Sequence, residues 1–200
     1  MKNICKKGIS VLLFFLLLWS VCFTQTAQAA SIVHTGSGEF RGIWVATVLG
    51  IDYPSKATTN DKDLRNEATV ILDNIKDMGF NVVFFQVRPC SDAFYKSNIF
   101  PWSQHLTGTQ GLAPSNGFDP LAFFIEEAHK RGIELHAWIN PYRITVSAGD
   151  NAKLAQSSPA LKYPELTVLH SDGKMYFNPG EPAARPAGSV CRRRKARRAF

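Results

Sequence analysis

Val82-Val83-Phe84-Phe85-Gln86-Val87-Arg88-Pro89 is an apolar run that turns polar and then stops at a proline. Ile133-Glu134-Leu135-His136-Ala137-Trp138-Ile139-Asn140-Pro141-Tyr142-Arg143 repeats the pattern later in the chain. A near-continuous hydrophobic strand is usually a parallel strand covered on both faces. Polar residues gathered at its carboxyl end lie where α/β folds build their sites. Each run also follows a helix-like stretch closed by glycine, at Gly79 and Gly132. Together they predict an enzyme-type α/β scaffold.

Outward from these runs the order reads strand, helix, strand, helix, strand. Phe40 to Val48 predicts the first strand, and Thr59-Asn60-Asp61 offers caps for the helix that follows. In that helix Leu64, Ala68, Ile71, Leu72, Ile75 and Met78 recur at three- and four-residue steps, predicting one buried face. Asp119 and Pro120 predict the start of a second helix, with Leu121, Phe124, Ile125 and Ala128 buried and Lys130 and Arg131 in its last turn. Met175-Tyr176-Phe177 is a possible fourth strand. Long connections, from Cys90 to Phe118 and from Ile144 to Lys174, follow the second and third strands, while the opposite ends are joined by short ones. That asymmetry is typical of a (β/α)8 barrel with its site at the carboxyl end of the strands. A full barrel takes eight strands and about 250 residues. The stretch from Glu39 to Gly180 holds about 140. The expected fold is therefore a partial TIM barrel, its first three to four βα units, truncated and with open edges on the first and third strands.

The two ends read differently from this body. Lys2, Lys6 and Lys7 precede an apolar run from Ile9 to Phe23, and Ala27-Gln28-Ala29 supplies a cleavage pattern. This predicts a signal peptide over 1–29, with an uncleaved anchor as the alternative. Residues 30–38 read as a short linker, and 39–180 as the barrel segment. Residues 181–200, with prolines and then Cys191-Arg192-Arg193-Arg194-Lys195, read as an aberrant tail without stable structure. That tail is either a natural basic segment or the product of a shifted reading frame or truncation.

The formal charge of +7 belongs to these ends. Three signal lysines and seven basic residues from Arg185 onwards account for ten of the 23 Lys and Arg. Thirteen remain against 16 Asp and Glu, so the body carries −3. No nucleic-acid partner is implied, and the only membrane contact expected is through the signal peptide before cleavage. Cys90 is the one cysteine outside the ends, which argues against a disulfide scaffold. No spacing of Cys and His resembles a zinc site, and no glycine-rich loop resembles a nucleotide site. Neither metal nor cofactor is expected.

Residues 40–180 resemble the glycosyl-hydrolase-like family 10 of bacterial exported proteins, which is distinct from the family 10 xylanases. The resemblance is carried by Arg41-Gly42-Ile43-Trp44-Val45, Phe85-Gln86-Val87-Arg88-Pro89, Ser91-Asp92-Ala93-Phe94-Tyr95, Pro101-Trp102-Ser103, Phe118-Asp119-Pro120-Leu121, Glu127-Ala128-His129-Lys130-Arg131-Gly132 and the run from Glu134 to Arg143. It implies a TIM barrel, cleavage of glycosidic bonds, and polysaccharide or peptidoglycan glycan of the bacterial wall as substrate, with the protein secreted or held in the cell envelope. The resemblance also implies that an Asn-Pro-Gly motif is followed by a helix and a strand bearing paired aspartates. Asn178-Pro179-Gly180 is present here, but the residues after it depart from that pattern. The truncated chain is accordingly expected to be inactive. The alternative from another class is a carbohydrate-binding or wall-associated protein without catalysis.

Glycoside hydrolysis normally needs two carboxyl groups flanking the bond, one protonated and one ionised. Asp92, just past the second strand, is the candidate catalytic residue. Asp52 is weaker, and no complete acid/base pair is assigned. Asp92 is equally suited to capping its own loop. Gln86 and Arg88, two apart, are expected to share one strand face, and His136 and Asn140, four apart, another. Such groups need partners when buried, from each other, from water or from sugar hydroxyls. Gln86 and His136 stand equally between a core network and a binding role. Arg88, Asn140 and Arg143 point to substrate binding. Of the aromatics, Trp102 and Tyr142 are the candidates for stacking on sugar rings, ahead of Trp44, Tyr95 and Trp138.

Overall fold

The computed structural model describes residues 38–182 and residue 184, all within one compact unit. The expected signal peptide, most of the expected linker and most of the basic tail lie outside the described residues. No helix among the described residues is long and apolar enough to cross a membrane.

Strand β1 spans Gly42–Val45 and ends before a 3-10 turn at Val48–Gly50. Helix α1, Asp61–Asp77, starts where the Asn60 side chain accepts the Lys62 N–H at 3.1 Å. Asp61 and Asp63 sit in its first turn and Lys76 in its last, each sign at the end that the helix dipole favours. Leu64, Ala68, Leu72 and Ile75 are buried as the periodicity predicts. Met78 differs: it is the C-cap and 59% exposed, because the helix has ended and its side chain no longer lies over the apolar stripe. Gly79 follows at φ +79°, a conformation costly to any residue with a Cβ.

Strand β2, Val82–Arg88, is buried almost throughout. A short helix α2, Gln104–Thr107, lies in the long connection after it. Helix α3, Pro120–Lys130, begins at Asp119, whose carboxylate accepts the Ala122 N–H at 3.0 Å. Leu121, Phe124 and Ala128 are buried, whereas Ile125 stays 36% exposed at the margin of the apolar stripe. Strand β3, Glu134–Ile139, completes a three-stranded parallel sheet of order β1-β2-β3. The mixed α/β architecture with parallel strands is as expected, and β1 and β3 are its two edges.

The expected fourth strand forms but joins a different sheet. After helix α4, Pro159–Lys162, strands β4, Thr167–Leu169, and β5, Met175–Phe177, pair antiparallel as a separate two-stranded sheet. A turn of the chain only a few residues long can make a hairpin but cannot carry the crossover that a parallel neighbour needs. Ile144, Ala160, Leu166 and Phe177 form a small core of their own beneath it.

The main core lies on one side of the parallel sheet. Val83, Phe85 and Val87 of β2 meet Leu72 and Ile75 of α1 and Phe124 and Ala128 of α3. Phe85 stacks on Phe124 at 4.1 Å, and Tyr53 packs edge-on to Phe124 at 4.9 Å. The other side holds Phe40, Trp44, Phe84, His136 and Trp138. Trp44 stacks on Phe84 at 4.6 Å and meets Trp138 edge-on at 5.0 Å, yet remains 57% exposed, as does Phe40. The sheet is therefore covered by helices on one face, while the other carries an open aromatic layer. The uniform hydrophobicity of β2 suggested cover on both.

Candidate functional site

The polar strand ends do come together. Gln86 is fully buried, and its Oε1 accepts the backbone N–H groups of Thr47 at 2.8 Å and Val48 at 2.9 Å. Thr47 Oγ1 donates to the Gln86 carbonyl at 2.8 Å, and Gln86 Nε2 donates to Asn140 Oδ1 at 3.2 Å. The Asn140 N–H in turn donates to the Arg88 carbonyl at 2.9 Å. The carboxyl ends of all three parallel strands are thus laced by one amide side chain. Gln86 is satisfied by protein groups, whereas Asn140 remains half-buried.

Arg88 departs from the expected arrangement. The β2–β3 ladder shifts by one residue between Gln86 and Arg88, so a spacing of two no longer fixes a common face. Arg88 is fully buried, and its guanidinium lies 3.6 Å from the centroid of the Phe100 ring. None of its three side-chain nitrogens has a hydrogen-bond partner among the described residues. Its charge is opposed by Asp92. An unpaired buried donor costs about 1–3 kcal/mol, and more when charged.

Asp92 is also buried, 1% exposed. The Cys90 N–H donates to its Oδ1 at 3.2 Å, which is the loop-capping geometry foreseen for an aspartate here. Burial raises its pKa to about 6, although hydrogen bonds from Ser103, Cys90 and Gln110 and the charge of Arg88 all pull it down. Gln110 also accepts the Ala155 N–H at 2.8 Å, so it ties the Asp92 loop to the connection after β3. Asp52, the weaker candidate, is committed to its own turn: its carboxylate accepts the Ala46 N–H at 2.7 Å.

Three other expected residues lie apart from this cluster. His136 Nε2 is 2.8 Å from Glu134 Oε1, and its ring packs on Phe84 and Phe40 in the open aromatic layer. Tyr142 packs on the small second core, and its carbonyl accepts the Phe177 N–H at 2.8 Å. Arg143 bridges to Tyr176 of the hairpin and is half-buried. Its charge is felt by Cys90 and His105, and both also feel Asp150. Burial, and next the charge of Asp92, holds the Cys90 thiol far above its ordinary range, so it is inert as a nucleophile. Burial pushes Asp150 up too, but contacts with Ser147, Gln104 and Lys153 outweigh it and leave Asp150 below the usual carboxylate range. The loops thus hold one carboxyl group poised to protonate near pH 6 and another that stays ionised.

Trp102 is partly buried against the main core and held by pairing with Ala93 and by the Gly111 N–H, which donates to its carbonyl at 2.8 Å. With Phe100 it lines a cavity of about 210 Å³ that opens to solvent. Thr47, Phe100, Ser103, Gln110 and Asp150 belong to these clusters without having been foreseen. Thr47 carried a signal, since it follows the apolar run of β1 as Gln86 follows that of β2. Ser103, Gln110 and Asp150 lie in irregular loops, where no period marks them.

The glycosyl hydrolase-like 10 family matches residues 39–187. A glycosyl hydrolase of Bacillus subtilis (strain 168), YngK, is 43% identical over 187 residues, covering 92% of this chain and 35% of the relative. A glycosyl hydrolase of Escherichia coli (strain K12), DigH, is 37% identical over 170 residues, covering 78% of this chain and 38% of the relative. The chain spans little more than a third of the length of either relative.

Proposed function

The chain belongs to the glycosyl hydrolase-like 10 family, and we propose from that premise that it is the substrate-orienting part of a TIM-barrel glycoside hydrolase for bacterial cell-wall glycan. Export by the segment over residues 1–29 to the cell surface or medium is part of the same proposal. The observation that carries it is the joining of the Gln86 and Asn140 side chains with the Arg88 carbonyl at the carboxyl ends of parallel strands, under long connections. Polar groups in that position are where barrels and other α/β folds bind ligands.

Within this reading Asn140 offers a half-buried amide to sugar hydroxyls, and Arg88 supplies positive charge from behind Phe100. Asp92 is enclosed by Ser103, Gln110 and Cys90, so it acts as a positioning residue that holds Arg88 and its loop, and does not touch the glycosidic oxygen. Hydrolysis by two carboxyl groups, about 5–5.5 Å apart for retention or about 6.5–9.5 Å for inversion, then requires a matched open pair, whereas Asp92 is buried and the exposed Asp52 is bonded to the Ala46 N–H. Binding without cleavage is the form of the activity that this arrangement favours.

The test is to incubate the 200-residue protein with purified peptide-free glycan strands, measuring both the fraction bound and new reducing ends. Binding without new ends is expected. Release of reducing ends would overturn the assignment of Asp92 and the division of labour. Failure to bind at all would overturn the glycan reading itself.

A further inference from the structure

The cavity beside Trp102 adjoins the strand-end cluster only through Phe100, and its lining has a definite chemistry. Trp102 gives it a partly exposed aromatic ring beside the buried Phe100, Asn98 and Ser157 give it polar groups, and Lys162 supplies a cation. The volume, about 210 Å³, falls below the ~300–1,000 Å³ of sites for drug-sized ligands. It suits a single ring.

Its walls are fixed before any ligand arrives. Ser97 Oγ accepts the N–H groups of both Ile99 and Phe100 at 3.1 Å, so the turn that carries Phe100 is tied down. Trp102 is anchored through its backbone by Ala93 and by Gly111, which itself lines the cavity. A preformed wall lowers the ordering cost of binding.

Electrostatics selects the ligand's charge. No acidic residue lines the cavity. Lys162 is exposed and has no ion pair or side-chain hydrogen bond among the described residues. Behind the Phe100 ring lies the Arg88 guanidinium, whose charge is opposed by Asp92. Aromatic rings offer flat apolar faces to the C–H side of a sugar, and the cation at Lys162 asks for an anion beside it.

We propose that this cavity binds one pyranose ring bearing a carboxylate, with the ring against Trp102 and the carboxylate at Lys162. The inference rests on the carbohydrate reading above and adds a second subsite that prefers acidic sugars. Neutral sugars enter the same cavity but lose the ionic contact. Because Lys162 is exposed, that contact contributes modestly and weakens with salt.

The experiment titrates the 200-residue protein with methyl glucuronide and, separately, with methyl glucoside, the same ring without the carboxylate. Amide chemical shifts locate the site. The acidic sugar is expected to bind about two- to fivefold more tightly at low salt, with shifts at Ser97, Gly111 and Ser157. Lys162→Met, at an exposed position that leaves the fold intact, should bring the two sugars to equal affinity, and Lys162→Arg should keep the preference. Equal binding of both sugars by the unaltered protein, a preference that survives Lys162→Met, or shifts that map elsewhere would each overturn the proposal. The outcome is separable from the glycan assay. Acidic-sugar binding that depends on Lys162, alongside no affinity for wall glycan, sinks the substrate and leaves this subsite standing.

Discussion

Arg88 and Asp92 form a coupled pair whose balance shifts with pH. Ordinary aspartate ionises near 3.8, whereas Asp92 in the folded protein does so at about 6, because burial outweighs its hydrogen bonds. Below about pH 3.8 both folded and unfolded forms are protonated, and the group is neutral in its effect on stability. As pH rises, the unfolded chain gives up its proton first, so the folded state loses stability between about 4 and 6 and does not regain it above. Asp92→Asn removes that loss. Its advantage over the unaltered protein should grow by up to about 3 kcal/mol from pH 4 to pH 7, read from urea midpoints across that range. A difference that stays flat with pH would contradict the burial of an ionisable Asp92. Arg88 gives the complementary prediction. At pH 4.5 Asp92 is largely neutral, and the guanidinium is then a buried charge with no anion and no hydrogen bond. Arg88→Met should therefore stabilise the protein by about 1–3 kcal/mol at pH 4.5, while glycan retention falls. Destabilisation at that pH would mean that Arg88 has polar partners after all.

At the scale of elements, the helices follow rules written locally. Asp119 illustrates this most fully, since one carboxylate oxygen accepts the Ala122 N–H at 3.0 Å and the other accepts the Lys96 N–H at 2.9 Å. It caps α3 and fastens the preceding loop in one stroke. Asp119→Ala should cost about 1–2 kcal/mol by chemical denaturation, at the upper end of cap losses because two amides are orphaned. A loss under half a kcal/mol would show that water replaces both contacts. Strands behave otherwise. β2 has hydrogen-bonded neighbours on both sides, but β1 and β3 each leave one edge without a strand partner among the described residues. A bare edge is a template for pairing with other chains.

Across the whole described unit, burial is lopsided. Two helices cover one face of the parallel sheet, whereas the other shows Phe40, Trp44, Phe84 and Trp138, with Trp44 and Phe40 each 57% exposed. Contiguous exposed aromatic surface of this kind marks a contact face or an aggregation liability. The protein should bind hydrophobic dyes while folded and self-associate as its concentration rises. Trp44→Lys, which places a charge in the middle of that layer, should weaken both effects, as followed by dye fluorescence and sedimentation velocity. A strictly monomeric protein that ignores the dye would mean that other residues of the chain cover the face.

The sequence by itself carried the family in its ordered motifs, and it determined the two long helices, their caps and the identity of the parallel strands. These depend on periods of two and 3.6, on Asn60 and Asp119 beside their own amides, and on Gly79 and Gly132 in the left-handed region, all within a few residues of chain. It could also mark Gln86, Arg88, Asn140 and Asp92 as polar groups at strand ends. Tertiary structure alone decided what each one meets. Gln86 is saturated by Thr47 and Val48 from across the sheet, Arg88 is slipped out of register by a bulge and covered by Phe100, and β5 turns back to pair with β4. Those outcomes depend on which distant surfaces pack together, and the free energy of that packing is shared among many side chains and recorded in no local pattern.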